Sequence, residues 1–375
     1  MARPATGGGV TVRFDQTTLR AFSRDILDGL GGPPETARLV TESLVRADLR
    51  GYGTHGIGIL PLYAGMVDDG AIDPLATPTV DRGDGATVRV DGQTGFGQLA
   101  AREATAEGIA VAEEYGVSVV GLRDASHIGP VGEFAERAAE AGMVFLAFTN
   151  TAGGATNTAA FGGAARTLST NPVAFGVPTF DALPYDIVAD FATSQVSGSV
   201  IRDHHRTGEP LDDEWTTTPS GDPVESPAAF MAGEGALLPL GGRTTGHKGY
   251  ALSVVAELLG GLIGRNPVVG ENDPEWLANG GAFVLVDPTA FLSVAAIEDR
   301  IGQFAAHLHR EAGVRLPGEG AHQRTQTNRS EGIEIPEHDL VPLAETAAGV
   351  GVTPPAEIRA ALDGAEDVDD DLQTW

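Results

Sequence analysis

Cysteine is absent from this 375-residue chain, which excludes disulfides and thiolate metal sites. Lysine is almost absent too: Lys248 is the only one, and every other basic residue is arginine. Basic charge is scarce overall, with 24 Lys and Arg against 52 Asp and Glu and a formal net charge of -28. Such a field repels a nucleic-acid duplex and an anionic membrane surface, so neither is expected as a partner. No uninterrupted apolar run is long enough to span a bilayer, and the opening MARPATGGGV lacks an apolar signal core. The expected location is the cytoplasm.

What is present is enough apolar material, 42% of residues, for a large core divided into two or three domains. The acids are scattered through the chain. In a salt-rich cytoplasm, surface carboxylates hold water and ions, long-range repulsion is screened, and weakly hydrated guanidinium replaces ammonium. That points to a halophilic source. A high genomic G+C content also favours Arg, Ala and Gly over Lys, but it does not demand so many acids.

Residues 16 to 50 read as two amphipathic helices, the second entered through Pro33 and Pro34 and stopped by Gly51. A third helical stretch is expected from His55 to about Asp69. Strands at 86 to 90, 117 to 122 and 144 to 148 then alternate with helices at 99 to 114 and 133 to 141, the pattern of an α/β domain. An excursion at 207 to 223 precedes a helix from His247 to about Ile263. One more strand is expected at 282 to 287 and one more helix at 297 to 312. Beyond Pro317 the chain reads as polar loop until a last helix at 355 to 363, and Glu366 to Asp371 is a solvated acidic run.

Two glycine patterns imitate a dinucleotide fingerprint. Gly51, Gly53 and Gly56 in GYGTHG follow a helix, whereas a true fingerprint follows a strand. Gly95, Gly97 and Ala100 in GFGQLA do follow a strand and open a helix, with Asp124 at the end of the next strand. Yet that first strand does not open a domain.

Four segments set reactive residue types between small ones, as active-site loops do: ADLRGYGTHG (47 to 56), LRDASHIG (122 to 129), LSTNPVAFGVP with VADFATS (168 to 178 and 188 to 194), and LLPLGGRTTGHKGYAL (237 to 252). In order and spacing they resemble the D-S-H-G, N-H-x-G, G-T-N-P, D-x-A-T-S and G-H-K-G-Y-G-L motifs of the type 2 malate/L-lactate dehydrogenase family. The resemblance runs from about residue 15 to 353. It implies an α/β chain with a non-Rossmann NAD(P)-binding fold, mixed sheets and a helical second domain. The implied parts are a substrate and catalytic domain (1–17, 81–141 and 280–320), a cofactor domain (142–279) and a helical domain (18–80 and 321–375). It also implies NAD or NADP as cofactor and a homodimer as the assembly.

Moving a hydride from a secondary alcohol to nicotinamide requires a base for the hydroxyl proton near neutral pH, and histidine is the natural choice. His127, just after a strand, matches the family's catalytic histidine. Thr54 and His55 match its substrate-orienting pair, and Tyr63 matches a tyrosine of the same pocket, although it also reads as plain helix-face core. Lys248 survives alone in GHKGY at a predicted helix start, where an ammonium beside helix-terminal amides suits a pyrophosphate or ribose. By resemblance Lys248 and Gly249 contact the cofactor, as do Thr151, Asp190, Phe191 and Ala192. The paired His204 and His205, and His307 with His309, lack metal-ligand spacing, so no metal is expected.

Three positions depart from the family. Ile59 stands where an arginine usually grips the substrate carboxylate, leaving Arg50 or Arg123 to supply that charge. Ser126 replaces an asparagine, and Ser199 replaces a basic residue after Gly198. The expected activity is hydride transfer between NAD(P) and a small 2-hydroxy or 2-oxo acid. The alternatives are reduction of a cyclic imino acid or sugar-derived keto acid, a non-catalytic nucleotide-binding paralogue, and a metal hydrolase built on His55, His127 and Asp190.

Overall fold

The computed structural model describes residues 10–271 and 278–362. The chain forms two compact units: residues 76–322 make one, and the flanking segments, up to 75 and from 323 onward, make the other. The acidic run at 366 to 371 lies outside the described residues.

The flanking unit begins with strand β1 (Thr11–Phe14) and helix α1 (Gln16–Gly29), whose first turn is capped by Asp15 accepting the Thr17 amide at 2.7 Å. Leu19, Phe22, Ile26 and Leu27 recur on one face of α1 and are buried. Helix α2 (Pro34–Leu49) starts at a proline, as a first-turn position allows, and buries Ala37, Val40, Leu44 and Val45. The expected helix from His55 differs in its first half. Gly53–His55 and Ile57–Ile59 are separate 3-10 turns, and α3 spans only Leu60–Asp68. Glycines at 53, 56 and 58 weaken α-helix there, and Pro61 suits a helix start.

The 76–322 unit is built on a mixed seven-stranded sheet. Its elements in chain order are β2 (Thr79–Arg82), β3 (Thr87–Asp91), α4 (Gly97–Tyr115), β4 (Val117–Ala125), α5 (Gly132–Glu140) and β5 (Val144–Asn150). After β6 (Thr158–Ala159) and β7 (Arg166–Leu168) come β8 (Val173–Val177), β9 (Ile187–Phe191), α6 (Gly198–Thr207), β10 (Thr216–Thr217), α7 (Pro227–Met231) and β11 (Ala236–Leu237). Helices α8 (Gly242–Thr245) and α9 (His247–Leu262) lead to β12 (Asn279–Val286) and α10 (Val294–Leu308).

The strand order is β2-β3-β4-β12-β5-β8-β9, and β6, β7, β10 and β11 form a separate small sheet. Only β3 and β4 run parallel in the large sheet; every other pair in it is antiparallel. This is no doubly wound parallel sheet. The near-continuous apolar runs of β4 and β12 suit central strands covered on both faces. Val120 and Leu122 of β4 join the core with α4, while Gly121 between them points the other way, where an added Cβ would fall 2.1 Å from the Ile263 carbonyl. Helix α4 and the end of α9 therefore pack on opposite faces. β12 pairs with β4 on one side and β5 on the other, so one sheet takes strands from both segments expected as separate substrate and cofactor domains.

The stretch beyond Pro317 corrects an expectation of loop. Helix α11 (Glu319–Glu331) runs from one unit into the other, followed by β13 (Ile333–Pro336), α12 (Glu337–Gly349) and α13 (Ala356–Leu362). Helix α11 buries only Ala321 and so shows no apolar stripe, while α12 carries Pro342 inside it, a residue that usually signals a break. β13 pairs antiparallel with β1, which places residues 11–14 in the flanking unit.

Candidate active site

Strand register brings most of the candidate residues of the 76–322 unit to one rim of the large sheet. Asn279 pairs with Ala125, Gly280 with Asn150, Val173 with Phe148, and Phe191 with Val173. The ends of β4, β5 and β9 thus lie along one edge, and the loops that leave them begin with Ser126–His127, Thr151 and Ala192.

The His127 loop is fixed from both sides. The Ser126 hydroxyl accepts the Gly97 amide at 2.9 Å, at the start of α4. A Cβ on Gly97 would stand 2.3 Å from the Ser126 carbonyl and 2.7 Å from that of His127. The second glycine of GFGQLA therefore serves the close approach of α4 to the histidine loop. On the other side the Ile128 amide donates to Asn279 Oδ1 at 3.0 Å, and Asn279 Nδ2 donates to the Asn150 carbonyl at 3.3 Å. Asn279 went unnoticed in the sequence because an asparagine before two glycines reads as an ordinary turn.

Past β5, the Thr151 hydroxyl donates to the Gly154 carbonyl, and Ala152 and Ala155 both lie in the left-handed region with φ near 51°. Backbone held this way at alanine is uncommon and marks a turn shaped by more than local preference. Asp190 Oδ2 accepts the Gly132 amide at 2.7 Å, at the start of α5. Crowding around this carboxyl pushes it up to about 6 by loss of solvation, against the opposing pull of the Gly132 amide, although the residue as a whole keeps some exposure.

The start of α9 is tied to the same rim. Gly249 presses on Leu240, whose carbonyl would lie 2.4 Å from an added Cβ, and the Leu240 amide donates to the Thr193 carbonyl at 2.8 Å. Beneath it, the buried Glu257 accepts from Asn171 Nδ2 at 2.8 Å and from the Val269 amide at 2.8 Å, while Asn150 Nδ2 donates to the Pro267 carbonyl at 3.0 Å. This network anchors α9 to the loops around β5 and β8. Lys248 is exposed in the first turn of α9 and has no ion-pair partner among the described residues. A cation there is unfavourable to the helix dipole, so it serves the fold poorly.

In the flanking unit, Thr54 Oγ1 and His55 Nδ1 are 3.1 Å apart, which orients the imidazole. Arg50 closes α2, its carbonyl accepting from Arg324 Nε at 2.9 Å. Tyr63 is fully buried, as a core position on α3 would be.

A model of the malate/L-lactate dehydrogenase family matches residues 14–343. The chain belongs to this family. It is 35% identical over 302 residues to an L-lactate dehydrogenase of Cupriavidus necator, covering 80% of this chain and 85% of that protein. It is 33% identical to a Δ1-pyrroline-2-carboxylate reductase of Ancylobacter novellus, covering 87% and 94%. Its fold matches the crystal structure of malate dehydrogenase from Entamoeba histolytica with a TM-score of 0.84 at 26% identity, over 92% of this chain and all of that one. The protein is thus an NAD(P)-dependent oxidoreductase of small hydroxy or oxo acids, with the α/β architecture of the type 2 malate/lactate dehydrogenases.

The residues of this dehydrogenase suit an anionic dinucleotide. An unpartnered ammonium, the glycine turn beside it and a carboxylate with one oxygen held by the protein supply donors for phosphate and an acceptor for ribose or carboxamide. The departures also have local explanations. Ile59 is buried at the end of the second 3-10 turn. Arg123 forms an ion pair with Asp91 and stands 3.6 Å from Asp124, so its charge is already engaged. Ser199 Oγ lies 2.8 Å from Ser197 Oγ, and Arg202, one turn along α6, has its guanidinium acidified by burial. Arg202 was not singled out in the sequence, where it is one arginine among many.

Proposed function

We propose that this chain exchanges a hydride between NAD(P) and a small 2-hydroxy or 2-oxo acid, with His127 as the acid/base. The observation that carries the reading is the register that sets His127, Thr151 and Asp190 to Ala192 along one sheet rim. Bound nicotinamide supplies the hydride acceptor or donor. In oxidation the His127 imidazole takes the hydroxyl proton; in reduction it returns that proton to the forming alkoxide. Lys248 and the Gly249 backbone hold phosphate or ribose, Thr151 and the Asp190, Phe191 and Ala192 strand end hold the remainder, and Thr54 with His55 orients the substrate. Arg50, in the segment that carries Thr54 and His55, is the candidate for the substrate carboxylate, since Ile59 is apolar. Tyr63, fully buried, fits a substrate role less well than a packing role.

The test is oxidation of NADH and NADPH against a panel of 2-oxo acids in a KCl series. His127→Ala should lower kcat by about 10² to 10⁴. Turnover by that variant at the wild-type rate would remove His127 from the mechanism. A second reading, reduction of a cyclic imino acid, is favoured by the similarity to the Ancylobacter reductase, and Δ1-pyrroline-2-carboxylate belongs in the same panel.

A homodimer fits the exposed stripe of Ala251, Val255, Leu258 and Leu262, spaced along one outward face of α9. The acid excess fits a salt-rich cytoplasm. Among the described residues no helix is long and apolar enough to cross a membrane. Size-exclusion chromatography across KCl concentrations checks both: a monomer at every concentration, or full stability in dilute buffer, would contradict the corresponding reading.

A further inference from the structure

The 3-10 turn that directly follows Thr54 and His55, Ile57–Ile59, rests on two carboxyl groups from separate helices of the flanking unit. Asp48, on the inner face of α2, is buried and accepts the Ile57 amide through Oδ2 at 2.9 Å. Asp339, in the first turn of α12, is also buried and meets the same turn one residue further on. The turn comes this close because side chains are absent at both contact points. A Cβ on Gly56 would fall 1.6 Å from Asp48 Oδ1, and one on Gly58 would fall 2.8 Å from Asp339 Oδ2. Packing alone would place an apolar pair here, since burying two acids costs free energy unless they have work to do.

We infer that Asp48, paired with Asp339 across the Gly56 to Gly58 turn, is a positioning residue that sets how Thr54 and His55 are presented. The inference rests on the proposal that Thr54 and His55 contact substrate. The link is short: the His55 amide donates to Tyr52 O at 2.9 Å, the Gly56 amide to Gly53 O at 3.0 Å and the Ile59 amide to Gly56 O at 3.2 Å, so a shift at Ile57 moves the histidine with it. Burial drives the Asp48 carboxyl well above the usual carboxylate range and the charge of Asp339 adds to this, while the Ile57 amide opposes both. Each carboxyl thus disfavours ionisation of the other. The titratable or charged groups on the surrounding elements include His338, whose Nε2 is 3.8 Å from Asp339 Oδ1, Glu337 beside it in the first turn of α12, Arg46 and Arg50 at the end of α2, His55, and Arg324 of α11 bound to the Arg50 carbonyl.

Asp48→Asn and Asp48→Ala separate this role from simple packing, because asparagine keeps an acceptor for the Ile57 amide and alanine does not. The alanine variant should raise the substrate KM at least tenfold with unchanged cofactor Kd, while the asparagine variant stays within about threefold of wild type. The sign of the pH effect follows from the raised folded value. The stability contributed by the Asp48 carboxyl is fully present below the ordinary carboxylate range and is lost as pH rises through the raised one. Asp48→Asn should therefore melt higher than wild type at alkaline pH, with the gain fading on acidification. Equal losses in both variants, or an asparagine variant less stable at every pH, would overturn the inference. If no substrate in the panel is turned over, the proposed activity fails separately. The His55 imidazole titration followed by NMR then decides: displacement in Asp48→Ala but not in Asp48→Asn supports the pair, and no displacement in either overturns it.

Discussion

His127 and His55 both sit in glycine-bearing turns, yet the two turns are secured in different ways. The first leaves the end of a central strand, and its backbone is bonded to α4 through Ser126 and to β12 through Asn279. The second leaves the end of a helix and is pressed onto buried acids, with Asp48 as its acceptor. Strand register fixes the first position to within a residue, because slipping β4 against β12 would turn every side chain to the other face. The second position depends on a polar contact whose strength varies with protonation. Under the proposed function, chemistry falls to the turn secured by backbone bonds and substrate orientation to the turn that rests on buried acids.

That division can be broken or sharpened experimentally. The largest effect after loss of His127 is expected from Lys248→Ala, which removes a charge-assisted contact and should weaken cofactor binding about 10- to 100-fold by fluorescence titration, with substrate KM at saturating cofactor little changed. If the cofactor Kd does not move, the α9 terminus is not a phosphate or ribose contact. Asn279→Ala should destabilise the fold by about 1–3 kcal/mol in urea titration, because it leaves the buried Ile128 amide without its acceptor, and it should lower kcat more than KM. A KM effect alone would mean that His127 is not held by Asn279.

The smallest effect is expected at Asp190. Its carboxyl is raised to about 6, against an unfolded value of about 3.9, so its ionisation erodes stability as pH climbs from the lower value through the higher. Asp190→Asn should raise the melting temperature above pH 6 and leave it unchanged below about pH 4. Since the ionised carboxylate is the better acceptor for ribose or carboxamide, wild-type cofactor affinity should weaken as pH falls through about 6, and the asparagine variant should lose that dependence. A pH-independent difference in melting would place the raised titration elsewhere.

Much of this arrangement was legible in the sequence where local pattern and tertiary outcome coincide. The periodic apolar faces of α1, α2 and α4 and the apolar runs of β4, β5 and β12 announced themselves, and the motifs around His127, Asp190 and Lys248 marked the rim. Two helices past Pro317 did not, because α11 buries a single alanine and α12 contains a proline. The pairing of β12 between β4 and β5 was equally invisible, since nothing local in AFVLV names its neighbours. Asn279, Asp48 and Asp339 were overlooked for a related reason. Their importance lies in bonds or contacts to residues distant in the chain, and each looks ordinary beside its own neighbours.

The late arrival of β12 has a consequence for how the chain is made. β4 and β5 cannot complete the centre of the sheet until Asn279 to Val286 leave the ribosome, on the order of ten seconds after β5 at ~5–20 residues per second. Meanwhile two apolar strands expose unpaired edges that invite association with other nascent chains. Synthesis of this protein therefore includes an interval with two open strand edges at the sheet centre, and slowing translation between Asn150 and Asn279 lengthens it.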